Sequence, residues 1–422
     1  MGLVTATCFA DLGHQVINVD NDRRKTNLLK KGQCHFYEPG LEDLVRHNLK
    51  EKRLSFTENI KIAVEKSQVI FIAVGTPPRE DGGADLSQIE TVARIVASKL
   101  TSQYKLIIEK STVPVRTGTK IKETIEAHAS KKAEFDVASN PEFLREGTAI
   151  QDFMHPDRIV VGADSEKAKK VIKQLYKDIK ATLLITDLNS AELIKHASNS
   201  FLAMKISFIN AIARICDVAH ANVEEVARGM GMDKRIGHKF LNPGIGYGGF
   251  CFPKDVSAFI HICDHLGYDF KLLKAVRDIN DDQIYYFLKK VEDKLWNVKD
   301  KHLAILGLSF KPNTDDMRFA PSILIIEYLL NHGAKITAFD PKAMPNAQKV
   351  FGKKIRFVED PYEAFRNKDA ALILTDWNEF KNLDLKKVKK LMKKPVILDG
   401  RNMYDPKAVK AAGIDYVSIG RL

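Results

Sequence analysis

Uninterrupted apolar runs alternate along this chain with stretches whose apolar residues recur every three or four positions. Val69–Val74 (Val-Ile-Phe-Ile-Ala-Val) is apolar at every position, as suits a strand buried on both faces of a parallel sheet. Leu106–Ile108, Asp136–Ser139, Arg158–Val161 and Leu183–Ile185 predict further strands, and Gln15–Asp20 reads as a buried strand ending in an acid. Helical spacing predicts an amphipathic helix over Gly2–Leu12 and another helix over Ser87–Thr101. Asn189–Ala219 predicts one long helix, about 45 Å at about 1.5 Å per residue. Its apolar positions (Leu193, Ile194, Ala197, Phe201, Leu202, Phe208, Ile209, Ile212, Ile215) cover most of the circumference, the mark of a helix buried between domains or subunits. Helices are expected at Lys254–Leu266 and Lys271–Lys294, then a boundary near Asn297–Lys301. Beyond it strands Leu303–Leu306, Lys335–Asp340, Ala371–Leu374, Val396–Asp399 and Tyr416–Ile419, with helix Pro321–His332, restart the pattern. Asp340 at a strand end echoes Asp20, a faint internal repeat. The expected fold class is α/β, with two doubly wound domains joined by a long helix.

With 422 residues, the chain is too long for one ordinary core. No apolar run is long enough to span a bilayer, and the first residues lack a basic segment and a cleavage site. We expect a cytoplasmic protein that does not bind a membrane. The five cysteines (Cys8, Cys34, Cys216, Cys251, Cys263) are widely spaced and form no metal-ligand pair, so reduced thiols and no metal are expected. The net charge of +12 is spread along the chain, densest at Lys386–Lys394, without aromatic interleaving or a nucleic-acid module. An anionic small molecule such as a nucleotide uses that charge better than nucleic acid.

The densest chemistry lies in Asn242–Asp255 (Asn-Pro-Gly-Ile-Gly-Tyr-Gly-Gly-Phe-Cys-Phe-Pro-Lys-Asp). Four glycines and two prolines oppose regular structure until after Pro253, and glycines admit positive φ and close ligand approach. Cys251 then falls beside a helix N-terminus, where dipole and free N–H groups favour thiolate. The alternative is a buried cysteine beside a flexible loop. Lys195 and Asn199, four apart on the long helix, share one face. In apolar surroundings Lys195 must find a partner or lay its stem outward along the surface. In the first half, predicted strands hand Thr76, Thr112, Glu142 and Glu146 to one sheet edge, where ligands bind in open α/β sheets. Helix capping by Thr112 and solvated carboxylates at Glu142 and Glu146 are the simpler readings. Helix, Gly13 turn, strand and Asp20 form the back half of a dinucleotide-binding βαβ unit, in which Gly2 is the third glycine. Its first strand and first two glycines are not found in this sequence.

Gly246–Asp255, Asn140–Gly147, Asp152–Gly162, Ala191–Asn199, Leu306–Arg318 and Asp399–Asn402 together resemble the UDP-glucose/GDP-mannose dehydrogenase family over essentially the whole chain. The resemblance implies two Rossmann-like domains and an α-helical dimerisation region, divided at 1–186, 187–296 and 297–422. It implies a four-electron oxidation of UDP-glucose at C6 with two NAD per turnover. UDP-N-acetylmannosamine and GDP-mannose are the alternative substrates, and a nucleotide-sugar binding protein without redox activity is the alternative class. Cys251 would carry a thiohemiacetal and then a thioester; Lys195 and Asn199 would stabilise the oxyanion. Asp255 with Thr112 would accept the first proton, and Glu142 would activate the hydrolytic water. The resemblance assigns NAD to Asp20, Arg23, Lys25, Thr76, Thr112, Glu146 and Arg318. It assigns the UDP-sugar to Phe143, Leu144, Glu146, Lys195, Asn199, Arg235, Phe240, Leu241, Asn242, Gly244, Gly248, Lys311 and Arg401. Arg235 would act across a homodimer, or a higher homo-oligomer, built on the long helix. Phe250 departs from the serine many relatives carry. The family opens Gly-Tyr-Val-Gly-Leu-Val-Thr and Met1 falls on the valine; we expect the true start upstream, and impaired NAD binding and stability if it is not.

Overall fold

The computed structural model describes residues 1–421 in two compact units, one of Met1–Ser198 with Ser257–Tyr268, the other of Asn199–Val256 with the chain from Asp269 onward. Two helices, Leu188–Ala219 and Cys251–His265, run from one unit into the other.

The second unit holds a six-stranded, wholly parallel sheet in the order Arg356–Phe357, Lys335–Phe339, His302–Leu306, Ala370–Ile373, Val396–Asp399, Asp415–Val417. By chain position this is 3-2-1-4-5-6, the doubly wound order whose ligand crevice lies where the order reverses. His302–Leu306 is the central strand, and Leu303–Leu306 are fully buried, as helices on both faces require. Helix Pro321–Asn331 opens with proline in its first turn, where a missing N–H costs nothing.

The first unit carries its strands in two separate sheets. Val16–Val19 pairs in parallel with Leu54–Thr57. A separate five-stranded sheet runs Val69–Ile72, Lys105–Glu109, Phe135–Ser139, Arg158–Ala163, Thr182–Thr186, with Arg158–Ala163 antiparallel to Phe135–Ser139. Among the described residues no strand pairs with both Val16–Val19 and Val69–Ile72, the position that His302–Leu306 fills in the other sheet. Every residue of Val16–Val19 is half-buried, as are Val69, Ile70 and Phe71, whereas all of Lys105–Glu109 is buried. Strands flanked on one side only lose the cover a central neighbour supplies.

The expectation of an amphipathic first helix is corrected: Gly2–Asp11 buries every residue from Leu3 to Ala10. It packs on the sheet through Phe9, whose ring centroid is 5.3 Å from that of Phe71, and its other sides meet helices Leu41–Lys50 and Ala149–Met154. The predicted start of the cysteine helix also moves, from Lys254 to Cys251. Pro253 then lies inside the first turn, where its absent N–H would have had no intrahelical partner.

Candidate active site

The loop before Cys251 is built by close backbone packing. A Cβ on Gly248 would stand 2.4 Å from the carbonyl oxygen of Phe319, and Gly249 has φ +78° with the Phe310 ring 2.6 Å from where its Cβ would be. Only glycine fits either position. Amides from two helices fasten the loop: Asn210 Oδ1 accepts from Gly244 N at 2.8 Å, Gln283 donates to Gly244 O at 2.9 Å, and Asn280 Oδ1 accepts from Tyr247 N at 2.8 Å. Arg401 donates to the carbonyls of Leu374 (2.8 Å), Gly246 (3.2 Å) and Phe310 (3.2 Å), joining the cysteine loop to the sheet end. Burial pushes its pKa down. Cys251 is half-buried and opens its helix. One turn on, buried Asp255 accepts from Asn199 Nδ2 at 2.6 Å and from Lys254 Nζ at 2.6 Å. Arg318 stacks 4.3 Å over the ring of Phe250, the residue before Cys251.

In the first unit Lys195 points inward rather than along the surface. Its Nζ is 3.4 Å from Glu142 Oε1, with side-chain exposures of 5% and 7%. Glu142 Oε2 accepts from Leu144 N at 2.6 Å, so the solvated reading of this carboxylate is overturned. Glu192, a turn earlier on the long helix, accepts from Arg116 N (2.6 Å) and Gly118 N (2.7 Å) at the start of helix Thr117–His128. Burial raises its pKa to about 7. Burial, then the charge of Glu192, pushes Glu109 well above the carboxylate range.

Among the remaining predicted residues, Thr76 is buried and donates to Thr112 O at 3.0 Å; Thr112 caps no helix, since the next begins at Thr117. Glu146 is half-buried. The Phe143 ring lies under Arg158 (3.8 Å) and Lys195 (5.3 Å). Leu241 is buried, Asn242 is exposed, and Phe240 lies edge-on to Phe252. Lys311 reaches over Phe310. Arg235 is exposed and pairs with Asp233 at 2.6 Å.

Asp20 is half-buried at the end of its strand; its Oδ1 accepts from Asp22 N at 2.8 Å, and Arg23 and Lys25 lie on the helix that follows. Helix Gly2–Asp11 has no side-chain cap at its N-terminus, which leaves first-turn N–H groups for an anion. These residues fit a dinucleotide. Asp340 does not repeat the role of Asp20: it is buried and accepts from Leu308 N, Lys342 N, Ala343 N and Trp377 Nε1. It ties the loop after the central strand in place.

Sequence reasoning missed Lys110 and Tyr176, which are buried and both donate to Asn140. The signal was Lys110 itself, a cation directly after an apolar strand.

The doubly wound sheet of the second unit and the parallel strands of the first place the chain among α/β proteins of the kind that bind ligands at the carboxyl ends of their strands. It belongs to the UDP-glucose/GDP-mannose dehydrogenase family: the NAD binding domain of that family matches residues 1–180, the central domain 189–282 and the UDP binding domain 304–406. The chain is 47% identical over 421 residues to UDP-glucose 6-dehydrogenase TuaD of Bacillus subtilis, covering 100% of this chain and 91% of that one. It is 45% identical over 428 residues to a UDP-glucose 6-dehydrogenase of Rhizobium meliloti, covering 100% and 97%. The solved UDP-glucose dehydrogenase of Pyrobaculum islandicum superposes with TM-score 0.93 at 39% identity, covering 100% of this chain and 95% of that one. A UDP-N-acetylmannosamine-type dehydrogenase from Pyrococcus horikoshii gives 0.87 at 27%, covering 100% and 97%. Among the described residues no helix is long and apolar enough to cross a membrane.

Proposed function

We propose that this chain is an NAD-dependent UDP-glucose 6-dehydrogenase of the cytoplasm, oxidising the C6 alcohol of UDP-glucose to the carboxylate of UDP-glucuronate. The observation that carries the reading is the first turn of the Cys251 helix, a thiol at a helix N-terminus with a buried carboxylate–amide pair one turn away. NAD, when bound, supplies the hydride acceptor. Asp20, with Arg23 and Lys25, would hold its adenosine end, with Thr76, Thr112, Glu146 and Arg318 as further contacts. Asp255, with Thr112, takes the proton from the C6 hydroxyl. Once C6 has also given up a first hydride to the acceptor, Cys251 thiolate adds to the aldehyde, so that one C–S bond forms and a thiohemiacetal alkoxide appears. Lys195 and Asn199 stabilise that negative oxygen. Loss of a second hydride leaves a thioester on Cys251, and water activated by Glu142 cleaves its C–S bond and restores the thiolate. Arg401 orders the loop, and Phe143, Leu144, Phe240, Leu241, Asn242, Gly244, Gly248 and Lys311 receive the UDP-sugar. The division at residues 186 and 296 separates the NAD part, the central helical part and the UDP-sugar part.

We also infer a homodimer built on the long helix. Phe201, Phe208 and Ile215 recur every seven residues and are 59%, 47% and 60% exposed within one chain, a stripe suited to a second copy. Arg235 would serve the partner's sugar nucleotide.

The test is the number of NADH formed per UDP-glucose. Two supports the four-electron reading; one means a simple alcohol dehydrogenase, and none overturns it. UDP-glucose binding without NAD binding would select a nucleotide-sugar binding protein.

A further inference from the structure

Lys110 follows strand Lys105–Glu109, the second of five in its sheet, and is 5% exposed. Its ammonium donates to both oxygens of one residue, Asn140 Oδ1 at 3.0 Å and Asn140 O at 3.3 Å. Asn140 is held on its other sides as well. Tyr176 donates to the same Oδ1, Nδ2 donates to Val160 O at 2.8 Å, and its own N–H reaches Glu109 O at 2.7 Å. Two residues on stands Glu142, bonded to Leu144 N and to Lys195. The Asn140–Leu144 turn is thus pinned at its root by a buried cation and at its tip by the Glu142 carboxylate. A buried lysine that finds amide oxygens instead of a carboxylate is a costly arrangement, and one that ordinary strand packing does not call for.

We propose that Lys110 is a positioning residue for Glu142, acting through Asn140 to fix the turn that presents this carboxylate. The proposal rests on the reading of Glu142 as the base for thioester hydrolysis. The groups that Lys110 feels are Glu109 on its own strand, Glu142 on the turn and Lys195 on the long helix; Glu192 on that helix in turn acts on Glu109. Burial lowers the Lys110 pKa to about 8, with Glu142 and Glu109 pulling it up and Lys195 pushing it down. Below that pH the bonds to Asn140 are charge-assisted; above it they become ordinary and weaker. Turnover should therefore fall along an alkaline limb that reports Lys110.

The test uses the whole chain with ¹³Cε-labelled lysine, the Lys110 signal being assigned by its loss in Lys110→Arg. Lys110 should titrate near pH 8, and in Glu142→Gln its midpoint should drop, because a carboxylate that favoured the ammonium is gone. An unmoved midpoint overturns the proposal without any need for activity. In kinetics, Lys110→Met should lower kcat about tenfold with KM for UDP-glucose within about threefold, and Lys110→Arg should restore turnover and carry the alkaline limb upward. In a Glu142→Gln background, Lys110→Met should cost nothing further; additive losses would mean the two act separately. If Glu142→Gln alone turns over like the parent, the base assignment fails, while the NMR coupling still decides whether Lys110 and Glu142 are linked.

Discussion

Replacing Lys195 by methionine removes one member of a buried ion pair and leaves its partner inside. Both side chains are almost fully buried, and the pair distance is 3.4 Å. Breaking such a pair costs about 3–5 kcal/mol, because the remaining charge loses its compensation. Here the lower end applies: Glu142 keeps the Leu144 N–H bond at 2.6 Å, and the charge of Lys110 acts on it. For a unit of roughly two hundred residues, about 3 kcal/mol corresponds to a fall of about 6–12 °C in Tm. The double variant Lys195→Met/Glu142→Gln removes both charges and should recover to within about 1 kcal/mol of the parent. Thermal and urea unfolding followed by circular dichroism at pH 7 read both numbers. A Lys195→Met protein as stable as the parent, or a double variant no better than the single one, would refute a buried pair at this position. Turnover should be lost in both variants, since neither retains the cation.

Gly248→Ala would drive a methyl group into the Phe319 carbonyl and Pro321. It should cost about 1–3 kcal/mol and most of kcat; an unchanged Tm would mean the loop stands off that segment. Burial holds the Glu192 carboxyl at about 7, above the ordinary glutamate value of 4.5, so the folded state binds the extra proton. Its contribution is full below about pH 4.5 and is lost as pH rises to about 7, a swing on the order of 3 kcal/mol. Glu192→Gln should flatten stability between about pH 4.5 and 7, and an unaltered pH slope would contradict the assignment. Phe208→Glu should convert the dimer to monomers in analytical ultracentrifugation; a dimer that persists would move the interface off the long helix.

Much of the fold follows from the apolar runs, because buried parallel strands carry a signal that needs no partner to be read. The Leu54–Thr57 strand escaped because it is short and buries alternate residues only. The first helix reads as amphipathic because Thr5 and Thr7 are polar; both are buried, and Thr7 returns its hydroxyl to Leu3 O at 2.8 Å. Such local bonding does not appear in periodicity. For the long helix, spacing identified the apolar stripe but left the direction of Lys195 open, since that depends on Glu142, fifty-three residues away in the chain. Cys251 is legible through its glycines, each of which leaves little room for a Cβ. Lys110 was not, because its role is defined by Asn140 and Tyr176, neither of them adjacent in sequence.

In the proposed mechanism Cys251 holds the sugar between two oxidations. Enzyme quenched in acid while turning over UDP-glucose and NAD, then digested and weighed by mass spectrometry, tests it most directly. A glucuronyl-nucleotide mass increment is expected on the peptide bearing Cys251, and none in Cys251→Ala, which should form no acid. A label on another side chain, or acid produced by Cys251→Ala, would contradict it.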